Sequence, residues 1–250
     1  MPKTSNPKSK IQNQKSEDFL LEIGTEELPA AYLPDLIHQL KEEGESLFRD
    51  NHLTCTQVES FGTPRRLVLL VRGLSWVQHN PAEEIRGPSQ QVAYDTEGKP
   101  TQALTGFLRS RGGSLNHTKL VASDKGAYVF LLKPPRTVPT PTVLPDLIPQ
   151  LINALRSPKT MRWDDSGVRF ARPVRWLLAL YGSAPIRCAF GRLTSHRNTW
   201  VGRPTRLQQV AVSSIDQYFR TLTSRGAILD HAQRRATIEE TVAKNAKQSA

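Results

Sequence analysis

The sequence predicts an α+β protein of at least two mixed lobes, with antiparallel or mixed sheets and packed helices, joined by a proline-rich connection. Three observations predict it. Apolar runs of strand length at 19–23, 66–71 and 176–181 are mixed irregularly with amphipathic helical stripes, not in strict strand–helix alternation. The stretch Lys133-Pro134-Pro135-Arg136-Thr137-Val138-Pro139-Thr140-Pro141 holds too much proline for a helix or central strand and marks an internal boundary. No internal repeat is present, so solenoids and propellers are set aside. The expected organisation is a disordered basic arm at 1–17, an N-terminal α+β lobe at 18–132, a proline-rich linker at 133–143 and a second α+β lobe at 144–250. That second lobe carries a basic, aromatic surface and ends in a helix.

Taken in order, the arm is polar and aperiodic. Its first sixteen residues hold Lys3, Lys8, Lys10 and Lys15 and no acid, and order is expected from Asp18. Phe19, Leu21 and Ile23 share one face of a strand. Glu26 and Glu27 stand where a helix is expected to start. Leu33, Leu36, Ile37, Leu40, Leu47 and Phe48 then recur at helical spacing up to about Arg49, with Gly44 weakening the middle. A turn at Gly62-Thr63-Pro64 leads into the buried strand at 66–71. A helix is expected within 98–111, with Ala103, Leu104, Phe107 and Leu108 on one side, and a strand at 127–132. Leu144, Leu147, Ile148, Leu151, Ile152 and Leu155 form the next helical stripe. Buried strand 176–181 and a short strand at 210–212 follow. Ser214 and Gln217 are spaced as a capping box, opening a helix that buries Ile215, Tyr218, Phe219 and Leu222 and closes at Gly226. Asp230 caps a final helix whose apolar face, Ala232, Ile238 and Val242, is thin. Such a face is expected of a helix that packs on something further, as in a chain cut short.

Composition excludes several classes. With 38% hydrophobic and 23% charged residues in 250, the chain is of ordinary globular type. Nothing approaches the roughly 18 consecutive apolar residues of a membrane span. The first residues lack the apolar core of a secretory signal, so a cytoplasmic location is expected. Cys55 and Cys188 alone make neither a disulfide framework nor a cysteine zinc site. The 34 Lys+Arg against 23 Asp+Glu give +11, a surplus that suits a polyanionic partner. Much of it lies between 157 and 206, where basic residues face only Asp164 and Asp165 and are interleaved with Trp163, Phe170, Trp176, Tyr181, Phe190 and Trp200. That pattern reads as a folded basic surface.

No glycine-rich phosphate loop or G-x-S-x-G elbow occurs, and the histidines are scattered without metal-ligand spacing. No catalytic residue, metal site or cofactor is therefore assigned within this chain. His196, beside Ser195 and several arginines, reads as a surface or RNA contact and not as half of a catalytic dyad. Three clusters carry the remaining chemistry. Glu26 and Glu27 are either metal or acid–base carboxylates or, by the blander reading, complements to a helix dipole. Arg65 and Arg66 stand at a strand edge, where guanidiniums either fork onto phosphate oxygens or pair with a local carboxylate such as Glu59. Lys159-Thr160-Met161-Arg162-Trp163 and Phe170-Ala171-Arg172-Pro173-Val174-Arg175-Trp176 join phosphate-binding arginines to tryptophans that stack on bases or fill the core. For Trp176 the core reading leads.

The same segments resemble the opening of the β subunit of bacterial heterotetrameric glycine–tRNA ligases. Phe19-Leu20-Leu21-Glu22-Ile23-Gly24-Thr25-Glu26-Glu27-Leu28-Pro29, Gly62-Thr63-Pro64-Arg65-Arg66-Leu67, Arg86-Gly87-Pro88, Glu97-Gly98-Lys99-Pro100 and the two tryptophan segments follow in that family's order and at about its spacing. The resemblance implies a chain without its own active site that binds tRNA(Gly) and assembles as α2β2. Glycine, ATP and Mg2+ are then expected at a separate α subunit. Family chains are near three times this length. Where the family carries Gly-His-Arg-Phe, this sequence reads Trp200-Val201-Gly202-Arg203-Pro204, so the histidine is lost and only an arginine is kept. The expected contacts to tRNA backbone or α subunit are Arg65, Arg66, Arg162, Arg172 and Arg175, with Arg197 and Arg203 as further phosphate binders. The alternatives are a free-standing RNA-binding protein and a non-functional truncated remnant.

Overall fold

A computed structural model describes residues 15–123, 126–203 and 206–248. In chain order its elements begin with β1 (Ser16–Thr25), α1 (Leu33–Asp50), β2 (Gln57–Thr63), β3 (Arg66–Ser75) and β4 (Val77–Asn80). Then come β5 (Glu83–Ser89), α2 (Gln90–Ala93), α3 (Gln102–Ser110), β6 (Thr118–Ser123), β7 (Gly126–Lys133) and β8 (Arg136–Pro139). The chain continues through α4 (Thr140–Ala154), β9 (Val174–Tyr181), β10 (Ala184–Pro185), β11 (Ala189–Phe190), β12 (Leu193–Thr194), β13 (Asn198–Arg203), β14 (Arg206–Ala211), α5 (Ile215–Ser224) and α6 (His231–Gln248). Helices and antiparallel sheets together make the expected α+β class.

The residues group into two units. One combines the chain up to Gln78 with the chain from Pro139; the other is His79–Val138. This differs from the expected lobes at 18–132 and 144–250, because β9 pairs with β1 and completes a sheet of order β10-β9-β1-β3-β2. One division between the units does fall inside the proline-rich stretch expected at 133–143, between Val138 and Pro139, but the stretch is not a free linker. Its residues end β7, form β8 and begin α4, with Pro139 as the residue before the helix and Pro141 in its first turn. There a missing N–H costs nothing, since the first helical donors have no intrahelical partner. The expected arm at 1–17 is also shortened, because β1 starts at Ser16, opposite Ser75. Residues 1–14 of that expectation lie outside the described residues.

The five-stranded sheet is buried on both faces, which is why its central strands read as continuous apolar runs. Phe19, Leu21 and Ile23 point to a core filled by Leu36, Leu40 and Phe48 of α1 and Leu144, Ile148 and Leu151 of α4. Leu20, Val68, Leu70, Leu178 and Leu180 point the other way, under Val201 of β13 and Tyr218 and Leu222 of α5. The alternation follows from the two-residue period of a strand. Helix α1 begins at Leu33, with Pro34 in its first turn and Asp35 as the acidic residue there, not at Glu26–Glu27 as expected. The capping signals of the last two helices hold. Ser214 Oγ accepts from Gln217 N at 3.1 Å, Gly226 takes a φ of +76°, and Asp230 Oδ1 accepts from Gln233 N at 3.0 Å. On α6 the thin apolar face is exposed, Ile238 by 57% and Val242 by 62%.

In the second unit β5, β7 and β6 form an antiparallel sheet whose Val129 and Leu131 pack against Ala93, Leu104 and Leu108. Among the described residues, no helix is long and apolar enough to cross a membrane.

Candidate nucleic-acid interface

The site is built outward from one buried carboxylate. Glu22 lies on the same face of β1 as Leu20, so its side chain enters the core and is fully excluded from water. A carboxylate can be buried only with its lone pairs satisfied. Here Arg66 Nη1 donates to Oε1 at 2.7 Å, Thr199 Oγ1 donates to Oε1 at 3.0 Å and Trp176 Nε1 donates to Oε2 at 3.0 Å. Arg66 Nη2 also donates to the Trp200 carbonyl at 2.6 Å, which ties β13 to the sheet.

Two residues along β1, Gly24 stands between Arg66 on β3 and Trp176 on β9. The indole lies where a side chain at 24 would be: a Cβ there would fall 1.9 Å from its ring. Glycine at 24 is thus required for close approach rather than for its backbone angles. Trp176 is 8% exposed, as the core reading anticipated. Its ring supports that of Trp200 at a centroid distance of 6.3 Å.

Because Thr199 and Val201 point inward, Asn198 and Trp200 point outward, and Gln209 stands across the hairpin from Trp200. With Arg175, Arg192 and His196 they line a cleft of about 330 Å³. A second cavity of about 180 Å³, lined by Glu26, Arg65, Leu207 and again Arg175, Trp176 and Trp200, adjoins it.

The predicted arginines divide sharply. Arg66 is 7% exposed and bound within the Glu22 cluster, so its guanidinium is not at the surface and the expectation of a phosphate contact there is corrected. Arg65 and Arg175 are brought together by the carboxylate of Glu26, and Arg172 reaches the backbone of Glu27, in the segment that the sequence had offered as a helix start. Arg65 Nη2 lies 3.4 Å and Arg175 Nε 3.3 Å from Glu26, while Arg172 Nε donates to the Glu27 carbonyl at 3.3 Å. Arg162 and Arg197 are exposed. Arg203 closes β13 opposite Arg206, and its side chain lies outside the described residues. Sequence reasoning missed Arg192, which pairs with Asp165, and the amides Asn198 and Gln209. The alternation of β13 and β14 could have pointed to Asn198 and Gln209, whereas nothing local marked Arg192. Among the described residues, no three His, Cys, Asp or Glu side chains are grouped as a metal site.

Residues 19–250 match the family model described as glycyl-tRNA synthetase beta subunit. The chain belongs to that family. It is 36% identical over 227 residues to the glycine–tRNA ligase beta subunit of Desulforamulus reducens, covering 91% of this chain and 33% of that relative. The beta subunit of Moorella thermoacetica is 37% identical over 227 residues, again 91% of this chain and 33% of the relative. A Chlamydia muridarum protein named glycine–tRNA ligase is 36% identical over 236 residues, 90% of this chain and 24% of its own length. The chain thus spans about a third of the glycyl-tRNA synthetase β subunits it matches. Its family motifs fall on the structure's key positions: Glu22, Gly24, Arg66 and Trp176 all belong to the segments that carried the resemblance.

Proposed function

We propose that this chain is the tRNA-facing and assembly part of a glycine–tRNA ligase β subunit. In that role it supports ATP-dependent attachment of glycine to tRNA(Gly) in the cytoplasm. Glycine, ATP and Mg2+ are held by a partner α subunit in an α2β2 assembly. Family membership supports the reading. The observation that carries it is the gathering of Arg65, Arg172 and Arg175 around Glu26 and Glu27, beside a cleft walled by Trp200. Arginines supply phosphate contacts that position an RNA, and a half-buried aromatic on a cleft wall supplies a stacking surface.

The test is co-purification of the chain with the matching α subunit, followed by glycylation of tRNA(Gly) by the mixture. The expected result is association, with charging above that of α alone. Absence of both association and any gain in charging would overturn the proposal.

A further inference from the structure

We infer that the cleft beside Trp200 is a pocket for one unpaired nucleotide of a single-stranded RNA segment, not a general docking face for duplex backbone. The inference rests on the tRNA-facing reading and names the part of the RNA that this site takes.

The chemistry of the walls decides between strand and duplex. A duplex backbone is held by unpaired cations reaching phosphates. The cations here are largely committed already: Arg175 Nε lies 3.3 Å from Glu26, and Arg192 pairs with Asp165. What the cleft adds is the equipment for a base. Trp200 offers a π-face, and Asn198 and Gln209 stand beside it with amide donors and acceptors for a base edge. Arg175 and Arg192 also line the cleft, with guanidinium nitrogens beyond those in their ion pairs to offer the flanking phosphates. A volume of about 330 Å³ accepts one nucleobase with its sugar but no stacked pair of strands.

The stacking surface is also fixed in advance. Trp200 rests against Trp176, whose Nε1 is anchored on Glu22, and the Trp200 carbonyl is held by Arg66 at 2.6 Å. An unstacked base therefore meets a rigid platform, and its ordering is the main cost of binding.

The experiment uses the full 250-residue chain and a single-stranded RNA pentanucleotide with a central 2-aminopurine. Its arms are the same strand annealed to its complement and the free 2-aminopurine mononucleotide. Binding is read from 2-aminopurine emission. The pentanucleotide is expected to bind at least about tenfold more tightly than duplex or mononucleotide. Trp200→Ala is expected to weaken it by about tenfold or more, while Trp200→Phe stays within about threefold. Circular dichroism checks each fold, and the double variant Asn198→Ala/Gln209→Ala supplies the readout if Trp200→Ala does not fold. Duplex bound as well as single strand overturns the inference, as does a folded Trp200→Ala with unchanged affinity. A mononucleotide bound as tightly as the pentanucleotide reassigns the cleft to a free nucleotide and overturns it too. If tRNA binding falls with Arg162→Ala and Arg172→Ala but ignores Trp200→Ala, the interface stands and the pocket fails. If no RNA binds at all, both fall.

Discussion

The carboxylate of Glu22 and the guanidinium of Arg66 meet at 2.7 Å with the glutamate wholly shielded from water. Removing one partner of a buried ion pair leaves the other charge uncompensated, which costs about 3–5 kcal/mol. Glu22→Ala is therefore expected to lower stability by about that much, read from urea denaturation. The double variant Glu22→Leu/Arg66→Met is expected to recover a large part of the loss, because neither charge is then stranded. A double variant as unstable as the sum of the singles would show that the pair does not act as a unit.

The surface arginines are expected to behave differently from Arg66 in RNA binding. Arg162 is exposed, and no carboxylate is paired with it among the described residues. Its change to alanine is expected to reduce the slope of log K against log salt by about one. Arg175→Ala is expected to change the slope by less, since Glu26 already offsets part of its charge. Arg66→Met is expected to leave the slope where it was. A flat response across Arg162, Arg172 and Arg175 would remove these residues from the interface.

Gly24→Ala tests the packing beneath Trp176. The added Cβ would fall 1.9 Å from the indole, inside any permitted contact. A cost of about 3 kcal/mol or more is expected, at the upper end of overpacking, with a shift in tryptophan emission as the ring is displaced. Gly106→Ala is the contrasting case, in α3 with open space around the position. There the gain in helix propensity is expected to stabilise by about 0.5–1 kcal/mol. Thermal melts of both variants check the pair.

Alkaline stability is expected to depend on two tyrosines. Burial, then the charge of Glu17, pushes Tyr181 up to about 12, and its hydroxyl donates to the Leu74 carbonyl at 2.9 Å. Burial and the charge of Glu22 push Tyr218 well above its ordinary value. Both shifts are upward, so the folded chain keeps protons that the unfolded chain gives up first. Their contribution is complete below pH 10 and is lost as pH rises through about 12 for Tyr181. Absorbance titration of phenolate should show both ionising only as the chain unfolds, and Tyr181→Phe should flatten the alkaline decline. Tyrosines titrating freely in a folded chain would contradict this.

Local pattern made much of this fold legible. The strand at 66–71, the stripe from Leu144 to Leu155 and the cap at Ser214 were readable because neighbours in sequence decide them. The role of Glu26 was not. A carboxylate before an amphipathic helix looks like a dipole complement, and only the pairing of β1 with β9 brings Arg175 to it. Glu22 was hidden for the same reason. Its partners Arg66, Trp176 and Thr199 lie 44, 154 and 177 residues away, so nothing local marks it as buried. The proline-rich stretch marked the boundary between the units but not its form, because Pro139 precedes α4 and Pro141 lies in its first turn, where a missing N–H is harmless.

The order β10-β9-β1-β3-β2 also sets a timetable for synthesis. As the chain leaves the ribosome, β1 can pair at once with β3, and His79–Val138 can close as its own unit. The opposite edge of β1 must wait for Tyr181 to emerge. At ordinary elongation rates that wait is on the order of ten seconds. Throughout it, an apolar strand presents an unpaired backbone edge, the kind of template on which nascent chains stick to one another.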